Sequence, residues 1–107
     1  MEITDTGILE VNLLNKTDSI AINDDDKIEL IVKALSSKTR RNILRQIQIE
    51  PLDVSNIASI LSMTEANISA QIKKLEAAGL ISCDYASGDH GVRKISNIKY
   101  NKLIIKF

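Results

Sequence analysis

This sequence is short of most of the residues that do chemistry. It has one cysteine, one histidine, one proline, no tryptophan and only 3% aromatic residues. A lone Cys83 can neither close an internal disulfide nor build a cysteine-rich zinc site. His90, the single histidine, falls in a glycine-flanked stretch with no nucleophile motif or phosphate-binding glycine loop nearby, so no enzyme and no cofactor are expected. Tyr85, Tyr100 and Phe107 are too few for the stacking platforms of single-stranded nucleic-acid binders. The core must be aliphatic. No apolar run approaches the roughly 18 residues that span a bilayer. The opening MEITDTG lacks the basic region and apolar stretch of a secretory signal. The expectation is a soluble, cytoplasmic protein with no membrane or metal partner.

Net charge is also missing: Lys plus Arg number 14 and Asp plus Glu 14. That balance hides an asymmetry. Residues 1–30 hold eight acids and two lysines, whereas residues 31–107 hold twelve Lys/Arg and six acids. A basic body with an acidic N-terminal segment suits a polyanion binder whose acidic part lies away from the ligand or restrains binding. Solvation of the surface would account for the same charges.

What is present is 44% hydrophobic residues over 107 positions, enough for one modest core. Residues 8–14 (ILEVNLL) and 19–22 (SIAI) are β-prone runs around the turn-rich Asn15-Lys16-Thr17-Asp18, and predict a hairpin. Residues 1–23 then form an extension able to serve in dimerisation, ahead of a domain over residues 24–107. Asp24-Asp25-Asp26 lacks the alternating spacing of a calcium loop but suits a helix N-terminus. The first helix runs to Leu35, with Ile28, Ile31, Val32 and Leu35 on its apolar face. Ser36 or Ser37 caps a second helix, Lys38 to Ile49, buried through Ile43, Leu44 and Ile47, which Glu50-Pro51 stops. Asp53 caps a short third helix carrying Val54, Ile57, Ala58 and Leu61. Thr64 caps a fourth, Glu65 to Ala78, buried through Ile68, Ile72 and Leu75, with Gly79 at the position of a left-handed C′ residue. The period then changes. Residues 80–85 predict a strand, 86–91 a flexible tip, 92–99 a returning strand, and Leu103–Phe107 a final strand. The fold class is α+β, mainly α: a winged helix-turn-helix of about four helices plus a β-hairpin wing, with an N-terminal hairpin and a C-terminal strand.

Ser62-Met63 is a tight connection between the third and fourth helices, with Leu61 and Met63 able to anchor it. Such a turn sets the second helix across the first, ready to enter a major groove. With Ile68 inward, 100° steps put Ala66, Ala70 and Lys73 nearly opposite, flanked by Asn67, Ser69 and Lys74. Ala and Ser let a backbone sit deep in a groove, and Ala can touch a thymine methyl. The amides of Asn67 and Gln71 can pair with adenine, although Gln71 projects only partly outward. Lys73 and Lys74 suit phosphate or guanine. A solvated helix face is the plainer reading of the same residues.

Ala34-Leu35 followed by Thr39-Arg40 and Ile43-Leu44 resembles the AL-x-x-x-TR-x-x-IL opening of ArsR-type (arsenic-repressor-like) winged-helix regulators. Residues 57–81, with Ile57-Ala58, Leu61-Ser62-Met63-Thr64, Ile68-Ser69, Ile72-Lys73 and Ala78-Gly79-Leu80-Ile81, are similar to that family's helix-turn-helix. Residues 91–105 are similar to the wing and final strand of archaeal regulators in the group. The resemblance covers residues 34–107. It implies that Thr64, Glu65, Ala66, Asn67, Ser69, Ala70 and Gln71 face DNA, and that His90, Arg93 and Lys94 touch backbone or minor groove from the wing. Glu65 would cap the helix or accept from a cytosine amino group. Arg40, Arg41 and Arg45 reach phosphates or are idle surface charges.

The resemblance stops at the family's metal switch. Leu52-Asp53-Val54-Ser55 offers no thiols where many members carry paired cysteines, and the β-prone C-terminus has no histidine ligands. Cys83 and His90 are too few and too far apart to make a metal site from one chain. The expectation is therefore a sequence-specific, homodimeric regulator that binds double-stranded DNA, with the fourth helix in the major groove. The alternatives are a winged-helix protein-interaction module and an architectural DNA binder with little sequence preference.

Overall fold

The computed structural model describes residues 9–89 and 91–107. Elements follow in the order β1 (Glu10–Leu14), β2 (Ser19–Ile22), α1 (Asp25–Leu35), α2 (Lys38–Ile49), β3 (Leu52–Asp53), α3 (Val54–Leu61), α4 (Glu65–Ala77), β4 (Ile81–Gly88), β5 (Gly91–Ile98) and β6 (Lys102–Lys106). Each helix starts on a side-chain cap. Asp24 accepts from the Lys27 amide, Ser37 from Arg40, Asp53 from Asn56 and Thr64 from Asn67. Each cap satisfies an amide that the first helical turn leaves without a partner. Helix α4 ends as expected at Gly79, whose φ is +75°. Its N–H donates to the Glu76 carbonyl at 2.9 Å, and the Leu80 N–H to Leu75 at 3.2 Å, closing the helix in a Schellman motif.

The core joins all four helices to the wing. Ile43, Ile57, Ile68, Ile72 and Leu75 are fully buried, and each such side chain contributes about 1.5–3 kcal/mol relative to exposure. The buried stripe of α1 is shifted from the expected one. It consists of Ile28, Ile31 and Ala34, while Val32 is 49% exposed. One 100° step carries Val32 past the face that meets α2 and α4, and the small Ala34 lets those helices approach instead. Leu44 on α2 is likewise half-buried.

Two three-stranded antiparallel sheets, ordered β3-β5-β4 and β2-β1-β6, complete the described residues. The first is the wing, and it is longer than the sequence implied. Its ladder runs through Ser87↔Val92 to Gly88↔Gly91, so most of the expected tip at residues 86–91 is strand. Strand β3 supplies a third partner, pairing Leu52 with Ser96 and Asp53 with Ile95. At two residues it is too short for a period-2 pattern to reveal.

The second sheet joins the two ends of the described chain. Val11 pairs with Ile22 on one side and Ile105 on the other. Val11 and Leu13 are buried in the common core. The β1–β2 turn is held by Asn15, whose Oδ1 accepts from the Thr17 and Asp18 amides at 2.9 and 2.7 Å, an Asx arrangement that fits this tetrad.

Candidate nucleic-acid interface

The α3–α4 connection sets the geometry of the candidate site. Ser62 adopts φ +54° and ψ 47°, the left-handed conformation, at the C-cap of α3. The Met63 amide then donates to the Ala58 carbonyl at 2.9 Å. Leu61 and Met63 pack partly buried against the core, anchoring the turn as their positions suggested. Helix α4 buries Ile68, Ile72 and Leu75 and turns the opposite face to solvent.

Thr64, Glu65, Ala66, Asn67, Ala70, Lys73 and Lys74 are exposed on α4, while Ser69 and Gln71 are half-buried. Seven of the nine nominated α4 side chains therefore share one open surface. The Thr64 hydroxyl is the cap, accepting from the Asn67 amide at 3.1 Å. Glu65 is not the cap but lies in the first turn, where a carboxylate is favoured by the helix dipole. It also lines a cleft of about 760 Å³ between the start of α3 and the wing, with Asp53, Ser87, Asp89 and Arg93 among the other walls.

The nominated cations outside α4 have partners within the fold. The Arg40 Nε and Nη2 groups donate to the carbonyls of Ala34 and Lys33 at 2.8 and 2.9 Å, and Nη1 donates to Gln71 Oε1 at 2.7 Å. Arg41 donates to the Leu35 carbonyl at 2.8 Å. These arginines cover carbonyls at the C-terminal end of α1, where the Lys33 carbonyl also accepts from the Ser36 N–H and hydroxyl. Arg45 bonds Asn42 at 2.7 Å. On the wing, Arg93 lies 2.7 Å from Asp53 and Lys94 2.7 Å from Glu76. His90 lies outside the described residues.

The electrostatics follow these contacts. Burial pushes the Asp53 carboxyl up, but the Asn56 amide and the Arg93 guanidinium outweigh it and hold the acid below its ordinary range. The hydrogen bond that Lys94 donates to Glu76 raises the pKa of its ammonium, against its partial burial. Burial raises the Cys83 thiol, whose Sγ sits 3.6 Å from Ser96 Oγ inside the wing. Among the described residues, no three His, Cys, Asp or Glu side chains come together as metal ligands. No helix among them is long and apolar enough to cross a membrane.

Sequence comparison places the centre of this geometry. Residues 37–82, from the cap of α2 through α3 and α4 into β4, match the profile described as bacterial regulatory protein, arsR family. The matched segment is similar to the helix-turn-helix of ArsR-family regulators, and the fold around it is a winged helix-turn-helix. No curated protein sequence matches it. Among solved structures, an ArsR family transcriptional regulator is 28% identical with a TM-score of 0.60, over 71% of this chain and 74% of the other. The homodimeric winged helix-turn-helix DNA-binding domain of a possible ArsR-family regulator from Mycobacterium bovis is 26% identical with a TM-score of 0.61, over 68% of this chain and 64% of that one. HlyU from Vibrio cholerae shares the fold at 20% identity and a TM-score of 0.55, over 68% of this chain and 75% of its own. Two of these organisms are bacteria, so the archaeal likeness of the wing gains no support. The ArsR-family match ends at residue 82, so the far wing and the β2-β1-β6 sheet lie beyond it.

Proposed function

We propose that this protein is a homodimeric, sequence-specific transcriptional regulator of the ArsR type that binds double-stranded DNA. The observation that carries the reading is the exposed α4 face, where Thr64, Ala66, Asn67 and Ala70 form a small, polar N-terminal half and Lys73 and Lys74 follow. Small side chains permit close approach to base edges, an exposed amide can read adenine, and lysines meet phosphate. A two-fold dimer presents two such helices to half-sites about one helical turn apart, and the homodimeric mycobacterial relative supports that assembly. The domain over residues 24–107 is joined by β1 and β2 of the preceding extension, since β1 pairs with β6 and buries Val11 and Leu13 in the common core. The protein acts in the cytoplasm, without a catalytic step.

In this reading the phosphate contacts fall mainly to Lys73 and Lys74. Arg93 and Lys94 lie on the wing but are held by Asp53 and Glu76, so the wing is a weaker contact than its sequence suggested. Mobility shift against genomic and random DNA at several salt concentrations tests the proposal. Selective retention of particular fragments with competing random DNA is the expected result. Equal competition by random DNA would leave an architectural binder. No shift at low salt would leave a protein-interaction module.

A further inference from the structure

We infer that Arg40 is a positioning residue for base recognition: its guanidinium fixes Gln71, and through Gln71 the base-reading amide of Asn67, against the last turn of α1. The inference rests on the reading of α4 as the DNA-reading helix and adds to it a link from a helix outside the helix-turn-helix.

The link is a directed chain of hydrogen bonds. Arg40 Nε and Nη2 are seated on the Ala34 and Lys33 carbonyls, at the negative end of α1. That anchoring leaves Nη1 aimed at α4, where it donates to Gln71 Oε1 at 2.7 Å. Guanidinium cannot accept a hydrogen bond, so the Gln71 oxygen must face it. Gln71 Nε2 then points one turn back along α4 and donates to Asn67 Oδ1 at 3.0 Å. Asn67 Nδ2 is left facing the soft Met63 sulfur at 3.8 Å, a weak acceptor. The sense of every link is set from the arginine outward.

Bidentate adenine recognition requires an amide oxygen and an amide nitrogen in a fixed order. An Asn67 amide free to flip offers either order, whereas one tethered through Gln71 offers a single order before DNA arrives. Three of the arginine's N–H groups are engaged in the free protein, and Arg40 is half-buried. It therefore acts through Gln71 and Asn67 rather than as a phosphate contact. Lysine keeps the charge but cannot form the fork, which makes Arg40→Lys the informative substitution. Gln71→Glu is its complement, because a carboxylate still accepts from Arg40 but cannot donate to Asn67.

The test has two arms. In the free protein, the side-chain NH2 resonances of Asn67 and Gln71 are followed by nitrogen-15 NMR. Arg40→Lys should shift both pairs while the amides of β1, β2 and β6 stay in place; unmoved NH2 pairs would overturn the inference. In the second arm, a DNA fragment selected from a random pool by the wild-type protein is compared with its scrambled version. Arg40→Lys and Gln71→Glu should each lose about tenfold of the discrimination, the scale of one hydrogen bond, while Arg40→Lys leaves the salt dependence unchanged. Full discrimination by both variants would overturn the inference alone. A wild type that selects no sequence would overturn the reading of α4 and the inference with it.

Discussion

Lys94 Nζ lies 2.7 Å from Glu76 Oε1, and this contact joins the middle of the wing to the last turns of α4. Both side chains are partly covered, with 21% and 34% exposed, so the wing is latched to the helix it accompanies. Glu76→Gln should lower stability at neutral pH by about 1 kcal/mol or less, the scale of a partly screened pair. The sign of its pH dependence follows from Lys94. The folded protein raises the ammonium pKa, so the stabilisation is fully present below the ordinary lysine value of about 10.4 and is lost as pH rises through the higher folded value. Urea unfolding of wild type and Glu76→Gln should therefore differ at pH 7 and converge at strongly alkaline pH. A gap that persisted there would assign the loss to packing instead of charge.

Asp53 makes two contacts that a pair of substitutions can separate. It caps α3 through the Asn56 amide at 2.8 Å and holds Arg93 at 2.7 Å. Asparagine caps a helix about as well as aspartate, so Asp53→Asn should remove the ion pair and keep the cap. Asp53→Ala should lose both, at a further cost of about 1 kcal/mol. The folded carboxyl is held low, so its contribution is present above the ordinary value of about 3.9 and lost as pH falls through the lower folded one. Acid titration of stability should be shallower in Asp53→Asn than in wild type. Equal slopes would remove Asp53 from the acid response.

On α4, two exposed positions should respond differently. Asn67→Ala should relax the preference among DNA sequences by about 1–3 kcal/mol while leaving the salt slope near that of wild type. Lys73→Ala should weaken all sequences similarly and reduce the slope of log K against log salt by about one. Titrations of selected and scrambled fragments at several salt concentrations separate these outcomes. Identical behaviour of the two variants would contradict the division between base reading and phosphate contact.

The legible parts of this fold were those decided within a few residues. Asp24, Asp53 and Thr64 each cap the amide three residues on, and Gly79 closes α4 as its position implied. The apolar period on α4 gave Ile68, Ile72 and Leu75, and therefore the exposed face opposite them. What the sequence leaves unseen is contact between distant parts of the chain. The Arg40–Gln71 bond spans 31 residues and the Arg93–Asp53 bond 40. In the sequence Arg40, Arg93 and Lys94 are cations with no visible partner, so DNA was their natural destination. The pairing of β6 with β1 is equally non-local. Val32 failed for a related reason: periodicity gives the width of an apolar stripe, but neighbouring helices decide where it is centred.

Gly88 offers a way to release the wing arginine without touching either charge. A Cβ added there would stand 2.7 Å from Arg93 Cδ and 2.8 Å from Cγ. The arginine stem must move, because both distances are well inside van der Waals contact. The stem is flexible and 47% of the Arg93 side chain is exposed, so it can swing toward solvent, while the Gly91 carbonyl oxygen, 3.3 Å from the added Cβ, gives way slightly. Gly88→Ala should then break the contact with Asp53 and lower stability by a few tenths of a kcal/mol, as an exposed partner allows. The Asn56 amide still bonds Asp53, so its carboxyl should titrate higher than in wild type but remain governed by the cap. With Arg93 freed, DNA affinity at low salt should rise and the salt slope steepen by about one. A carboxyl that titrates as in wild type, read by carbon-13 NMR, would mean that Arg93 keeps its hold despite the added methyl group.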